Sequence, residues 1–378
     1  MWNPRAVTRL DFRVIPVIIS LMIASCLVIA ATDPVCTYSG GEVSFFTPKV
    51  QKQLQHFFLG WAVFIFFVGF NYHKLREWAW FLYVGMLLAL VGLFFTEPIQ
   101  NVRRWYRLPF VGASFQPSEY AKLIVVITLS WFLERNRSSA ARLSTAFLGG
   151  VIVGIPFLLI LKQPDLGTAL VLCPVTLMMF YLGGIHSATV RWMTRLGFAA
   201  LAFMLLIFMG ILSHEKMHPF ATKFLKDYQY ERLNPHSHHG WAAQTAIGVG
   251  GLTGSGWRES EFTGRGWLPY GHTDSVFPAI GEEFGFFGLL FLLVLFYTLI
   301  YFGFQVMAAA VDDFGRMLSS GITVYLAMHI IINIGMMCGF LPITGVPLIL
   351  VSYGGSSVFV TMAALGILQS IYAQRFMF

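Results

Sequence analysis

Charge is what this sequence has least of. Lysine, arginine, aspartate and glutamate make up 11% of its 378 residues, where a soluble domain carries about 25%. Apolar types make up 57%, more than one globular core can hide, so the excess must face lipid. Cysteine is equally sparse. Cys26 and Cys173 lie inside apolar runs, Cys338 sits near the end of another, and Cys36 alone falls in a loop, so the 4 cysteines form neither a disulfide framework nor a metal set. The 25 bases outnumber the 18 acids, but they are scattered between apolar segments, which argues against a nucleic-acid partner. No K-T-G or S-D-N accompanies the Ser213-x-x-Lys216 match, which excludes a penicillin-binding domain within this chain. The glycines from Gly248 to Gly256 follow no strand of a βαβ unit, so a dinucleotide site has no support.

What is present is apolar length. A membrane-crossing helix needs about 20 mostly apolar residues, and such stretches lie near 14–31, 56–71, 79–95, 118–134, 145–162, 166–184, 196–213, 285–306, 317–339 and 355–374. The expected fold is therefore all-α integral membrane, with about ten transmembrane helices in one polytopic domain, 1–378. A long extracytoplasmic loop, 214–284, joins the seventh and eighth. The first run, Val14 to Ala31, follows Arg5, Arg9 and Arg13 and lacks a small-residue cleavage site, so it reads as a retained helix. The positive-inside rule places both termini in the cytoplasm, with Lys74, Arg76, Arg135, Arg137, Arg142, Arg191, Arg195, Arg316 and Arg375 on that side. Arg103, Arg104 and Arg107 fall on the other side. They are either a chance cluster in a loop or a phosphate site, since guanidinium forks bind such oxygens bidentately.

Four polar segments share that outer side. In Gln116-Pro117-Ser118-Glu119, Ser118 is a candidate N-cap, and Glu119 with Lys122 shares one helical face, as a local ion pair or as a working pair. Lys162-Gln163-Pro164-Asp165-Leu166-Gly167 is a tight turn between two spans. Asp165 there is either a functional acid at membrane depth or a turn residue bonding amides. Gly271-His272-Thr273-Asp274 is followed by Glu282-Glu283-Phe284-Gly285, three acids at the lip of a span. The glycines and prolines from Gly339 to Pro347, followed by Val351-Ser352-Tyr353-Gly354-Gly355, cannot continue a helix. Non-helical backbone at that depth survives only when buried in protein or lining a wet cavity.

Together these blocks resemble the SEDS family (shape, elongation, division and sporulation proteins), in its RodA-like branch. Arg104-Trp105, Gln-Pro-Ser-Glu with Lys122, Gln-Pro-Asp-Leu-Gly, Tyr228-Gln229 with Arg232, and Ala246-Ile247-Gly248 with Gly250-Gly251 carry the likeness. His-Thr-Asp with Glu-Glu-Phe-Gly, Gly-Val-Pro and Ser-Tyr-Gly-Gly-Ser complete it. The chain departs from the pattern in a longer Arg104-to-Gln116 spacing, no Gly-Ala before Arg104, a shorter stretch between Arg232 and Ala246, and Ile349 where a second proline is common. The resemblance implies a peptidoglycan glycosyltransferase that polymerises lipid II at the outer face of the bacterial inner membrane, for elongation and cell shape. It implies a class B penicillin-binding protein and other elongation-complex proteins as partners, and Asp274 as the catalytic acid. Joining two sugars needs a base for the acceptor hydroxyl and charge stabilisation for a departing pyrophosphate. Asp274 suits the base role or that of ligand to a divalent cation, Mg or Mn. Arg104, Glu119, Lys122, Lys162, Asp165, Glu282, Glu283 and Ser352 are the expected substrate-binding residues.

Other matches carry less. His214-Glu215-Lys216-Met217-His218 has the zinc-protease spacing, but Pro219 pushes His218 out of helical geometry. His236, His238 and His239 could bind a metal but read rather as a flexible polar loop, and His329 reads as a histidine packed between helices. A flippase for a lipid-linked precursor is the alternative function, since broken helices and buried charge also mark transport paths. It requires a site near the midplane, whereas these acids gather near one face.

Overall fold

The structure is a computed structural model that describes residues 2, 4–32, 45–97, 103–108, 113–212, 230, 233–235 and 237–375. Helices α1 (Val14–Ala31), α2 (Pro48–Gly69), α3 (His73–Gly92), α4 (Pro117–Arg135), α5 (Leu143–Lys162), α6 (Leu166–Leu182) and α7 (Ser187–Phe208) follow in order. Two short helices come next, α8 (His238–Gly250) and α9 (Glu261–Gly264). The long α10 (Val276–Ala309), α11 (Asp313–Met337) and α12 (Gly355–Gln374) complete the bundle. A long helix occupies each expected apolar stretch. By length and composition 7 of them can cross a membrane: α1, α3, α5, α7, α10, α11 and α12. α6 is apolar but shorter, while Lys49 and Lys52 near the start of α2, and Glu119 and Lys122 near that of α4, dilute those two. Between α3 and α4, β1 (Tyr106–Leu108) and β2 (Ala113–Phe115) form an antiparallel hairpin that the apolar pattern did not predict.

Local chemistry sets several helix starts. Thr47 caps α2 by accepting from the Val50 amide at 3.3 Å, with Pro48 following it. Asp165 caps α6 and Asp312 caps α11 in the same way. Ser118 is not the cap expected. Gln116 holds that position without capping the helix through its side chain, and the Ser118 hydroxyl donates to Asp165 instead, at 2.9 Å.

In lipid the hydrophobic effect does not drive helices together, so close backbone approach and hydrogen bonds must. α12 is buried along nearly its whole length and packs chiefly on α2. A methyl added at Gly366 would lie 2.7 Å from the Phe64 carbonyl oxygen, so only glycine permits that approach. Buried hydroxyls within the helices bond back to their own backbone, as Ser130 does to Val126, Ser319 to Gly315 and Thr323 to Ser319. The rim is apolar and exposed: Phe58, Phe81 and Leu88 face outward, and α7 buries only Ile207.

Polar ties gather at one end. Tyr72 donates to Asp312, Arg137 pairs with Asp313, and the Asp11 amide donates to Gln369 at 2.9 Å. Arg13 grips Asp11 at 2.8 Å and holds its carboxyl below the usual range.

At the other end the main chain leaves helical geometry twice. α10 breaks at Gly285, whose φ of 65° suits glycine. The break frees the carbonyls of Glu282 and Glu283 and the amides of Phe286 and Phe287. Residues 251–256 fill it as a strand would: the Ser255 and Gly256 amides donate to Glu282 and Glu283 at 2.8 and 3.1 Å. Phe286 and Phe287 donate to Gly251 and Leu252 at 2.9 and 3.3 Å. The second departure is the stretch 338–354, where Leu348, Ile349, Leu350 and Val351 are buried and the Tyr353 amide donates to the His272 carbonyl at 2.9 Å. The condition for non-helical backbone at membrane depth is met by burial in protein.

The interlock is tight. A methyl at Gly254, where φ is 85°, would lie 2.2 Å from the Glu283 carbonyl oxygen, whereas one at Gly248 meets open space. Gly254→Ala should therefore destabilise the protein by on the order of 2 kcal/mol or more, read as a lower melting temperature in detergent. Gly248→Ala should not. Equal losses from the two would remove the interlock.

Candidate active site

The two non-helical stretches meet around Asp274. Asp274 ends the loop that precedes α10 and is half-buried. Its backbone is held from two sides. The Asn333 side-chain amide donates to the Asp274 carbonyl at 3.0 Å and to the Val346 carbonyl at 2.7 Å, tying α11, the loop and the 338–354 stretch at one point. The Ser352 hydroxyl donates to the Thr273 carbonyl at 2.5 Å and accepts from the Leu348 amide at 2.8 Å. One carboxylate oxygen of Asp274 lies beside Gly345, where φ is 76°. A methyl added there would come to 3.3 Å from it, so glycine keeps that side of the acid open.

The α5–α6 turn forms the neighbouring wall. Asp165 is buried, and its carboxylate accepts from the Ser118 and Thr168 hydroxyls at 2.9 Å each, from the Thr168 amide at 3.3 Å and from Gln116 at 3.3 Å. It stitches α4 to α6. A methyl at Gly167 would meet Val346 at 2.5 Å and the Thr344 carbonyl at 3.1 Å, so this turn touches the segment that flanks Asp274. Arg104 grips the turn from above, donating to the Gln163 carbonyl at 2.9 Å and to that of Pro164. These bonds use two of its five N–H donors. Lys162 is exposed beside the turn and has no ion-pair partner among the described residues.

Glu119 and Lys122 pair at 2.8 Å, and both are buried. The Lys122 ammonium also meets His329 Nε2 at 2.6 Å, and His329 Nδ1 lies 3.4 Å from the Pro347 carbonyl. His329 is packed between helices as expected, as a link from α4 through α11 to the 338–354 stretch. Glu282 accepts from the Phe262 and Thr263 amides at 2.7 and 2.8 Å, and Glu283 from the Ser260 hydroxyl at 2.6 Å and the Arg258 amide at 2.5 Å. Both are fully buried braces for the loop that fills the α10 break. The structure buries Glu119, Asp165, Glu282 and Glu283, with Asp165, Glu282 and Glu283 accepting from several donors each and Glu119 from Lys122 through one oxygen. Lys122 and Ser352 are buried as well. Asp274, Arg104 and Lys162 keep open surface.

Sequence reasoning passed over Asn333, Gln53 and the His239–Ser275 pair. Gln53 is buried in α2 and accepts from the Gly354 amide at 3.3 Å. His239 meets the Ser275 hydroxyl at 2.6 Å, one residue from Asp274. Burial, with the His238 charge beside it, holds the His239 imidazole below its ordinary range. The available signal was a lone polar residue inside an apolar run, as Asn333 is. The zinc-protease match, Tyr228-Gln229, Arg232 and His236 lie outside the described residues, as does the Arg107 side chain.

No group of three His, Cys, Asp or Glu among the described residues is placed to hold a metal ion. A single half-open carboxylate nevertheless fits a magnesium-like ion that brings phosphate oxygens as its other ligands, the usual mode for that ion.

The profile of the FtsW/RodA/SpoVE cell cycle protein family matches residues 12–376. The chain belongs to this family. The family member MrdB of Escherichia coli K12, named a peptidoglycan glycosyltransferase, is 32% identical over 97% of this chain and 94% of its own. A probable peptidoglycan glycosyltransferase, FtsW of Geobacter metallireducens, is 29% identical over 98% of this chain and 96% of its own. Among solved structures, a chain described in terms of polymerization and crosslinking by a peptidoglycan synthase complex superposes with a TM-score of 0.76. It is 26% identical and covers 97% of this chain and 98% of that one. The rod shape determining protein RodA of Thermus thermophilus shares the fold, with a TM-score of 0.69, 24% identity and the same coverage.

The buried pair predicts a specific pattern of stability. Lys122→Met strands a buried carboxylate and should cost about 3–5 kcal/mol, while Glu119→Gln with Lys122→Met should recover much of it. Thermal unfolding of the single and double variants reads the difference. A double variant no more stable than Lys122→Met would mean the pair is not coupled.

Proposed function

We propose that this protein polymerises lipid II into glycan strands at the outer face of the membrane, with Asp274 as the catalytic residue. It is an integral membrane protein and a peptidoglycan glycosyltransferase of the elongation type, related to MrdB along nearly its whole length. The single observation that carries the site assignment is the placement of half-buried Asp274, its backbone fixed where two non-helical stretches meet. A general base needs a fixed position and an accessible oxygen.

In this reading Asp274 takes the proton from the acceptor sugar hydroxyl as that oxygen attacks the anomeric carbon of the donor. The bond to the lipid pyrophosphate breaks, and the leaving group carries its charge toward Arg104 and Lys162. Asn333 and Ser352 position the acid, and Glu119, Lys122, Asp165, Glu282 and Glu283 build the walls. A divalent cation, Mg or Mn, would be held by Asp274 and would supply neutralisation of the pyrophosphate. The whole chain acts as one membrane domain, with both termini in the cytoplasm and residues 214–284 outside. The solved neighbour's complex couples polymerization to crosslinking, which supports a crosslinking partner here, a class B penicillin-binding protein, within a larger elongation assembly. A precursor flippase fits less well, because the open acid lies at one end of the bundle, beside the start of α10, rather than midway along it.

Purified protein supplied with lipid II, magnesium and a class B penicillin-binding protein should make glycan chains. Asp274→Asn should reduce the rate by about a hundredfold or more, and Glu215→Gln, in the protease-like match, should leave it unchanged. Polymer from the Asp274 variant would falsify the assignment, and lipid movement across vesicles without polymer would favour a flippase. Asn333→Leu should lower kcat more than it changes KM. Chelation with EDTA should stop polymer formation and added magnesium restore it; synthesis that continues in EDTA removes the cation from the proposal.

A further inference from the structure

Far from Asp274, between α3 and α4, lies a shallow, open cleft of about 360 Å³ lined by Arg76, Glu77, Trp131, Glu134 and Arg135. It belongs to the opposite end of the bundle. α10 starts beside Asp274 and runs to Ala309, and just beyond it Asp313 pairs with Arg137, two residues past Arg135. The cleft is independent of the polymerisation site, and nothing in the proposed reaction uses it.

Its charges are arranged as a complement to one chemical class. Arg76 and Glu134 pair with each other at 3.1 Å. Among the described residues neither Glu77 nor Arg135 has an ion-pair partner, and Arg135 lies over the Trp131 ring, 5.7 Å from its centre. The cleft therefore presents one unpaired guanidinium and one unpaired carboxylate. Its apolar side is aromatic: Trp80 lies 6.3 Å from Trp131 and 5.4 Å from Tyr83, ring centre to ring centre, and Trp78 and Trp80 are exposed. Tryptophans gathered at a helix end mark the headgroup level of a bilayer.

A simple anion in this place would meet two carboxylates. An anionic lipid without an amine would satisfy Arg135 and leave Glu77 facing it. A choline headgroup has no N–H to donate, and the Trp131 face it would stack on is taken by Arg135. A headgroup that carries both a phosphate and a primary ammonium offers a partner to each of the two groups lining this cleft. We propose that this cleft binds the phosphoethanolamine headgroup of a membrane phospholipid, with the phosphate on Arg135, the ammonium on Glu77 and the upper acyl chains against Trp80. Interhelical pockets carrying bases at a membrane face are established lipid-headgroup sites in general; here the free carboxylate sets the preference.

The test uses the full chain reconstituted in vesicles of equal parts phosphatidylethanolamine, phosphatidylglycerol and phosphatidylcholine with matched acyl chains. The lipid retained after detergent washing is then counted by native mass spectrometry. Wild type should retain phosphatidylethanolamine over each of the other two by about threefold, the factor one interfacial ion pair contributes. Glu77→Gln should abolish the advantage over phosphatidylglycerol, and Arg135→Gln should lower total retention. Retention in bulk proportion by wild type overturns the proposal, as does a preference for either other lipid. A Glu77→Gln ratio equal to that of wild type overturns it as well. The wild-type comparison stands without any variant.

Discussion

A backbone amide or carbonyl at membrane depth must find a partner inside the protein, and the half of this molecule that holds Asp274 is organised around that constraint. α10 breaks at Gly285, and residues 251–256 supply the donors and acceptors that the break exposes. The 338–354 stretch has no helix of its own, and Ser352, Asn333, Gln53 and the His272 carbonyl pair its groups instead. Because each stretch is completed by another, none can shift alone. The loop bearing Asp274 inherits that rigidity, since the carbonyls of Thr273 and Asp274 are both hydrogen-bonded from other segments. Catalysis by a positioned group needs such support from beneath.

The same constraint divides the carboxylates into two kinds. Glu282 and Glu283 accept from loop amides and hydroxyls, Asp165 from three side chains and an amide, and Glu119 from Lys122. Each is buried, and a buried carboxylate without donors would be far more costly than one left in water. Asp274 differs in burial: it is only half-buried, and its backbone carbonyl and that of Thr273 are fixed from other segments. A residue type alone does not separate these tasks; its burial does.

The two ends of the bundle also differ in what they ask of charge. At the end with Asp11, Tyr72, Arg137 and Asp312, ionic groups mostly find each other and tie helix termini together. Glu77 and Arg135 break that habit in the same cleft as a satisfied pair. Between the ends, polar side chains in the helices bond locally or to one neighbour, and the rim is left to lipid.

How much was legible beforehand depends on the range of the interaction. Apolar runs, the Asp165 turn, the non-helical character of residues 339–354 and the family blocks were all readable, because each is a local property of spacing or composition. The membrane class, the long helices and the gathering of the polar blocks at one end follow from them. The hairpin at Tyr106–Phe115, the inward turn of Glu282 and Glu283, and the role of Ser118 were not readable. Each depends on a partner 19 or more residues away, or on a register that no apolar period encodes. Asn333 makes the division plain: the sequence showed a polar residue in an apolar run, and only the packing of α11 against two unwound stretches made it the residue that holds Asp274. Hydrophobic spacing decides which segments enter the bilayer, whereas the partners of each buried polar atom are chosen by segments distant in the chain, and those partners exist only once the chain has folded.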